Sequence, residues 1–198
     1  VIRREEITQH YAYDPAQVDR VVPEVVEHVA VVPYDAGWPA AYAVVAERIG
    51  AALGPGAVAV EHVGSTSVPG LAAKPVIDVD VMVADPTDEA AYVPALEAAG
   101  FVLQLREPRW HEHRAFRGAE PRSNVHVWGP DCPEVERHRI LRDWLREHPE
   151  DVERYAAAKV GAAEETNAVG GVVMDYNARK EPVVRAIFER AFRARGLL

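Results

Sequence analysis

The sequence predicts an α+β fold: a mixed β-sheet flanked by helices, with a helical C-terminal part. Three observations carry this. Runs rich in valine and isoleucine cluster between residues 57 and 128, several of them are joined by connections too brief for crossover helices, and from Pro133 onward the apolar spacing is helical. A doubly wound parallel sheet would need a helix between successive strands, so strands first and helices last favour α+β. With 198 residues and 48% apolar side chains, one domain with an ample core is the default.

Residues 1–28 are charged and poorly periodic and read as an N-terminal arm, in which Asp14-Pro15 can start a short helix reaching about Val26. The main domain is expected over 29–198. Val29 to Val32 is a short β-rich run closed by Pro33. Trp38-Pro39 opens an alanine-rich helix that Gly54 stops after Leu53. Strands are expected at Ala57 to Val63 and Pro75 to Val83, joined by the Gly/Ser/Pro loop 64–70. Thr87 or Asp88 can cap a helix to Ala99, with Gly100 as its stop. Further strands are expected at Phe101 to Leu105, His113 to Arg117 and Asn124 to Trp128, then helices at Glu134 to His148, Pro149 to about Thr166 and Tyr176 to Arg195.

Composition narrows the function classes. The formal charge of −9 argues against a nucleic-acid partner, because binding to phosphate backbones draws on clustered Lys and Arg; a small basic pocket remains compatible with it. Cys132 is the only cysteine, so no internal disulfide and no two-cysteine metal knuckle can form. Apolar runs are cut by charge or proline well short of the roughly 18 residues of a membrane span, and no signal-peptide pattern is seen. A cytoplasmic, soluble protein without a membrane partner is expected.

The densest chemistry lies in the loop and the strand after it. In Val76-Ile77-Asp78-Val79-Asp80-Val81, alternation puts Asp78 and Asp80 on one face, about 6.6 Å apart by strand rise. Such a pair is either the solvated side of a half-buried strand or a divalent-metal site, since neighbouring carboxylates repel unless a cation lies between them. Upstream, Gly64 and the hydroxyls of Ser65, Thr66 and Ser67 could cradle a phosphate, or form a plain connecting loop. Twelve residues separate Ser65 from Asp78.

This stretch, Gly64-Ser65 through Asp78-x-Asp80, resembles the signature of the nucleotidyltransferase superfamily. Glu61-His62-Val63-Gly64-Ser65-Thr66-Ser67-Val68-Pro69-Gly70-Leu71, Ala73-Lys74-Pro75 and Ile77-Asp78-Val79-Asp80 resemble more closely the hallmark of the GrpB (UPF0157) family. Tyr34-Asp35, Trp38-Pro39, Val125-His126-Val127, Arg142-Asp143-Trp144-Leu145-Arg146 and Tyr155-x3-Lys159 extend the resemblance over about Val29 to Ala191. It implies a nucleotidyltransferase-like fold and transfer of nucleoside monophosphates by metal-bound carboxylates.

The superfamily's third carboxylate is absent; its expected strand offers His126, flanked on the same face by Asn124 and Trp128. A neutral imidazole there could ligate Zn²⁺ or Mn²⁺ better than Mg²⁺, or be a hydrogen-bonded sheet histidine. Lys74 could supply a point charge to a phosphate or be an exposed loop lysine. His62 is either a base or a structural donor. Arg109, His111, His113, Arg114, Arg117 and Arg122 make the middle segment cationic, whether as an anion-embracing patch, in which Arg114 and Arg122 could touch substrate, or as a solvated hairpin. Tyr155 with Lys159, and Tyr176 with Lys180, share helix faces four residues apart; each pair could frame a base and its phosphate or be surface packing. Arg142 and Asp143 suit an ion pair or a helix-to-sheet contact.

The expected function is metal-dependent transfer of a nucleoside monophosphate from a nucleoside triphosphate to a small-molecule acceptor. Asp78 and Asp80 would be the catalytic metal ligands, with Mg²⁺ or Mn²⁺ as cofactor. The alternative is a non-catalytic nucleotide- or anion-binding module assisting a partner enzyme, by resemblance to the segment fused to some dephospho-CoA kinases.

Overall fold

A computed structural model of the chain describes residues 2–198. Among these residues six strands form one mixed sheet in the order β1-β4-β5-β6-β3-β2. They are β1 (Asp19–Arg20), β2 (Ala57–Val63), β3 (Ile77–Val83), β4 (Phe101–Glu107), β5 (His113–Gly118) and β6 (Ser123–Trp128). Only β3 and β6 run parallel, Asp78 opposite Asn124 and Asp80 opposite His126; every other neighbour pair is antiparallel. The mixed sheet and the helical C-terminal part are therefore as the sequence predicts. The helices are α1 (Arg4–Thr8), α2 (Trp38–Leu53), α3 (Val93–Ala98), α4 (Pro133–Glu147), α5 (Pro149–Ala168) and α6 (Val173–Ala194). None is long and apolar enough to cross a membrane.

Alternation along the central strands divides the sheet into two chemistries. Val79, Val81, Val125, Val127 and Phe116 point to one face, where they pack against Val45 and Ile49 of α2 and Leu96 of α3 in the main core. Asp78, Asp80, Asn124, His126 and Trp128 are their neighbours in sequence, so they point to the other face. That face meets the C-terminal helices: Met82 and Trp128 pack against Cys132 and Val135, while Val68 and Leu71 of the loop pack against Leu145, Tyr155 and Ile187. The free thiol of Cys132 is buried.

Several boundaries differ from the sequence expectation, each for a local reason. Asp14 does cap a turn, accepting from Ala16 N at 3.0 Å, but only a 3₁₀ turn, Pro15–Gln17, follows. Beyond it the backbone pairs with the edge strand, Asp19 opposite Arg106, and Val21 and Val22 both donate to Gln104 O. Val29 to Val32 is not a strand. Val32 makes one bridge to Ala73, while the Asn167 side chain satisfies both backbone groups of Val29 at 2.9 and 3.0 Å. The helix expected from Thr87 is a 3₁₀ turn, Glu89–Ala91, followed by the short α3, because Pro94 fits only a first turn. Strand β3 begins at Ile77 rather than Pro75, and α6 begins three residues before Tyr176.

Candidate functional site

Gly64 leaves β2 with φ +65, and a Cβ at this position would lie 2.4 Å from Asp78 Oδ2. Glycine is thus required twice, by the left-handed backbone and by the approach of the carboxylate. The 3₁₀ turn Ser65–Ser67 follows. Ser67 folds back to donate to Gly64 O at 2.6 Å, and its own carbonyl accepts from Arg146 Nη2 at 2.8 Å. Thr66 is buried with its hydroxyl 3.0 Å from His62 Nε2. Of the three hydroxyls only that of Ser65 makes no hydrogen bond among the described residues.

Helix α4 holds this region through arginines spaced along one side. Arg139 and Arg142 pair with Glu61, Arg142 donates to His62 O at 3.1 Å, and Arg146 holds Ser67 O. Arg142 also pairs with Asp143 at 2.9 Å, so both structural roles expected of it are present.

The two aspartates share a face but not a condition. Asp78 Oδ1 accepts from Asn124 Nδ2 at 2.8 Å, and its Oδ2 makes no hydrogen bond among the described residues. Asp80 is inaccessible to solvent; its Oδ1 accepts from Trp128 Nε1 at 2.9 Å and its Oδ2 lies 2.7 Å from His138 Nδ1. Burial opposes charge on both groups, but their mutual attraction prevails, lowering the Asp80 carboxyl and raising the His138 imidazole to about 9. The pair is carboxylate and imidazolium, so a protein cation already neutralises Asp80.

His126 is engaged as well. Its Nδ1 lies 3.0 Å from His113 Nε2, and His113 Nδ1 lies 2.7 Å from Glu107 Oε2. Burial lowers both imidazoles, so each carries one N–H. Burial raises the Glu107 carboxyl, so the direction of this chain follows its charge: with Glu107 as carboxylate, it accepts from His113 Nδ1, His113 Nε2 accepts from His126 Nδ1, and His126 Nε2 keeps its lone pair.

Opposite this wall, the i, i+4 pairs of α5 and α6 bring three lysines around two rings. Lys159 Nζ is 4.8 Å from the Tyr155 ring, Lys74 Nζ 5.3 Å from the Tyr176 ring, and Lys180 Nζ 5.7 and 5.3 Å from the two. Lys159 is buried rather than on the surface, donating to Ala72 O at 3.1 Å. Desolvation lowers Lys74 and pulls Lys159 well below the ordinary lysine value, although Asp78 opposes it. The buried Tyr176 hydroxyl has no hydrogen-bond partner among the described residues.

A pocket of about 350 Å³ collects these groups: Gly64, Ser65, Thr66, Lys74, Asp78, Asn124, His126, His138, Lys159, Tyr176 and Lys180 all line it. Tyr155 supports the lysines from behind. Five other expected site residues stand outside it: Asp80, expected as a metal ligand, is buried behind His138 and Trp128 and does not line the pocket, and four more have other partners. Ser67 closes its own turn; His62 lies on the opposite sheet face, stacked on Tyr42 with ring centroids 4.6 Å apart and held neutral by burial, with its pKa near 4. Arg114 pairs with Glu89 at 2.9 Å, and Arg122 with Glu27 at 2.5 Å. The sequence reading missed His138, Glu107 and the pairing of His113 with His126. The helical spacing of Tyr176 and Lys180 was the available signal for Lys180; nothing local marks His138, 58 residues from Asp80.

Among the described residues no group of three or more His, Cys, Asp and Glu side chains is arranged to hold a metal. Asp78 keeps an uncommitted oxygen in the pocket, which fits a cation shared with ligand phosphates rather than one held by protein alone.

Fold and site together define an α+β protein with a lysine-lined pocket on one face of its mixed sheet. The chain belongs to the GrpB family, whose model, described as GrpB protein, matches residues 28–190. It is 44% identical over 158 residues to UPF0157 protein BH1888 of Halalkalibacterium halodurans, covering 80% of each chain. It is 42% identical over 162 residues to UPF0157 protein SCO7215 of Streptomyces coelicolor, covering 82% of this chain and 83% of that one. A dephospho-CoA kinase of Mycobacterium tuberculosis matches at 30% identity over 81% of this chain but only 45% of its own length. The crystal structure of the conserved protein GrpB from Enterococcus faecalis superposes with a TM-score of 0.66 at 26% identity, covering 82% of this chain and 99% of that one.

Proposed function

We propose that this protein is a cytoplasmic enzyme of nucleotidyltransferase-like fold that transfers a nucleoside monophosphate from a nucleoside triphosphate to a small-molecule acceptor. The observation that carries this reading is the convergence of Lys74, Lys159, Lys180, Ser65 and Asp78 on one pocket. Three lysines face one pocket carboxylate, and the buried Tyr176 hydroxyl lacks a partner among the described residues; a polyphosphate would satisfy all of them. Mg²⁺ or Mn²⁺ entering with the triphosphate, held by Asp78, would neutralise phosphate charge. The lysines and Ser65 would fix the phosphates. An acceptor oxygen then attacks the α-phosphorus, pyrophosphate leaves, and the acceptor's proton passes to His126 Nε2.

A second reading is favoured by one observation: Asp80, expected as a metal ligand, has both oxygens committed to Trp128 and His138. On that reading the chain binds a nucleotide or other anion without turnover and assists a partner enzyme, in keeping with the name of its kinase relatives.

Calorimetric titration of nucleoside triphosphates with Mg²⁺ or Mn²⁺, combined with a pyrophosphate-release assay over hydroxyl, phosphate and carboxylate acceptors, separates the readings. Binding with release marks the enzyme, and binding without release the module. The Asp78→Asn variant should lose at least tenfold in metal-dependent affinity, about 1.4 kcal/mol, while remaining folded. No heat from any triphosphate with either metal would dismiss the transfer reading and the nucleotide-binding form of the module.

A further inference from the structure

A second and larger pocket, of about 620 Å³, adjoins the first and shares Asn124, His126 and His138 with it. Its floor is the polar sheet face at β4, β5 and β6. One wall is the N-terminal arm, residues 11–27, which precedes the segment matched by the family model. The arm is tied down along its course. Ile7 O and Gln9 O accept from Arg137 Nη1 at 2.6 and 2.9 Å, Tyr11 meets the His111 ring edge-on, β1 pairs with β4, and Glu27 pairs with Arg122. The pocket beneath it is thus a built cavity, within the roughly 300–1,000 Å³ usual for small-molecule sites.

Its charges show what it would take. Each lining carboxylate already has a partner: Asp14 accepts from Ala16 N and Gln17, Glu24 pairs with Arg20, Glu27 with Arg122, and Glu107 with His113. Arg20 is held in turn by Glu24 and Tyr13. Arg109 and Arg117 line the pocket and make no hydrogen bond or ion pair with their side chains among the described residues. Arg117 stands opposite Asn124 in the β5/β6 register, so it faces the junction with the lysine pocket. The rest of the lining is largely apolar and aromatic, including Tyr11, Val22, Leu105, Trp110 and Met174.

We propose that this arm pocket binds a second small molecule, an anion with an apolar or aromatic body, whose carboxylate or phosphate is held by Arg117 and Arg109. In calling that molecule the acceptor we rest on the transfer reaction proposed above; the binding site itself does not depend on it. A ligand seated there reaches the junction at Asn124 and His126 from the side opposite the lysines, the arrangement a two-substrate reaction needs. Because the arm lies outside the matched family segment, it would set acceptor specificity in this chain.

The probe is 8-anilinonaphthalene-1-sulfonate, an aromatic anion whose fluorescence rises in apolar surroundings. Native protein should bind one probe per chain, displaced by 3-phenylpropionate or phenyl phosphate; whichever competes better tells carboxylate from phosphate. Arg117→Ala, with Arg109→Ala if needed, should weaken the probe at least tenfold with an unchanged melting temperature, since both side chains are exposed and unpaired. Calorimetric affinity for nucleoside triphosphate should not change in these variants. Equal probe affinity in native and double-variant protein would overturn the proposal. So would loss of triphosphate affinity in the arginine variants, which would make the pocket part of the nucleotide site. If triphosphate fails to bind native protein while the probe and its competitors bind through Arg117, the transfer reading falls and the arm pocket stands.

Discussion

At the residue scale, Gly64 and Asp80 show how spacing can be right while its cause is hidden. The sequence marks Gly64 as a place of close approach; the structure shows that Asp78, not only a ligand, is what approaches. Gly64→Ala would strain a φ of +65 and drive a methyl group into the Asp78 side chain, so it should destabilise the fold by about 1–3 kcal/mol in urea unfolding. Pairing it with Asp78→Gly should recover part of that loss, because the clash goes and only the backbone strain remains. Strictly additive losses would show that the contact is not the cause. Alternation likewise reveals that Asp78 and Asp80 share a face. It does not reveal that Asp80 is neutralised by a histidine on α4, because that pairing depends on how helix and sheet dock.

At the element scale, what was legible is what local chemistry decides. Gly54 stops α2, Pro133 and Pro149 open α4 and α5, and alternating valines define β2, β3 and β6, so these elements fall within a residue or two of expectation. The misread segments are those whose partners are distant. Val29 to Val32 has strand composition but no strand beside it, and Asn167 of α5 supplies the missing backbone partners. Asn167→Ala leaves the N–H and C=O of buried Val29 unpaired, at a cost of about 1–3 kcal/mol. Amide hydrogen exchange at Val29 should then speed up well beyond any change in the strands of the sheet. Unchanged protection there would mean that the arm is held by its other contacts alone. The arm's route along β4 was illegible for a similar reason: residues 19–22 carry no periodicity and take their conformation from the edge they pair with.

At the scale of the whole molecule, the buried histidines divide the pH dependence of stability by sign. His62, His113 and His126 have folded pKa values below the ordinary value, so between those values and about 6.5 the unfolded chain binds more protons, and stability falls on acidification. His138 has the opposite sign. Its folded pKa is raised to about 9, so its contribution is complete below about 6.5 and is lost as pH rises through 9. Asp80, lowered by its ion pair, contributes above about 3.9 and loses that contribution as pH falls through its folded pKa. Lys74 and Lys159 complicate the alkaline side, because their lowered values make stability rise with pH toward the unfolded lysine value of about 10.4. A difference measurement removes them. In the double variant Asp80→Asn with His138→Gln both charges go, while the other histidines and the lysines remain. The stability of native protein minus that of the variant should be greatest between about pH 4 and 6.5 and shrink as pH rises to about 9, where the imidazolium is lost. Urea unfolding at half-unit intervals from pH 4 to 9.5 measures this, and an imidazole resonance titrating near 9 in native protein identifies the group. A difference that stays constant over the whole range would mean that His138 is neutral in the folded state and that Asp80 is held by hydrogen bonds without an opposing charge.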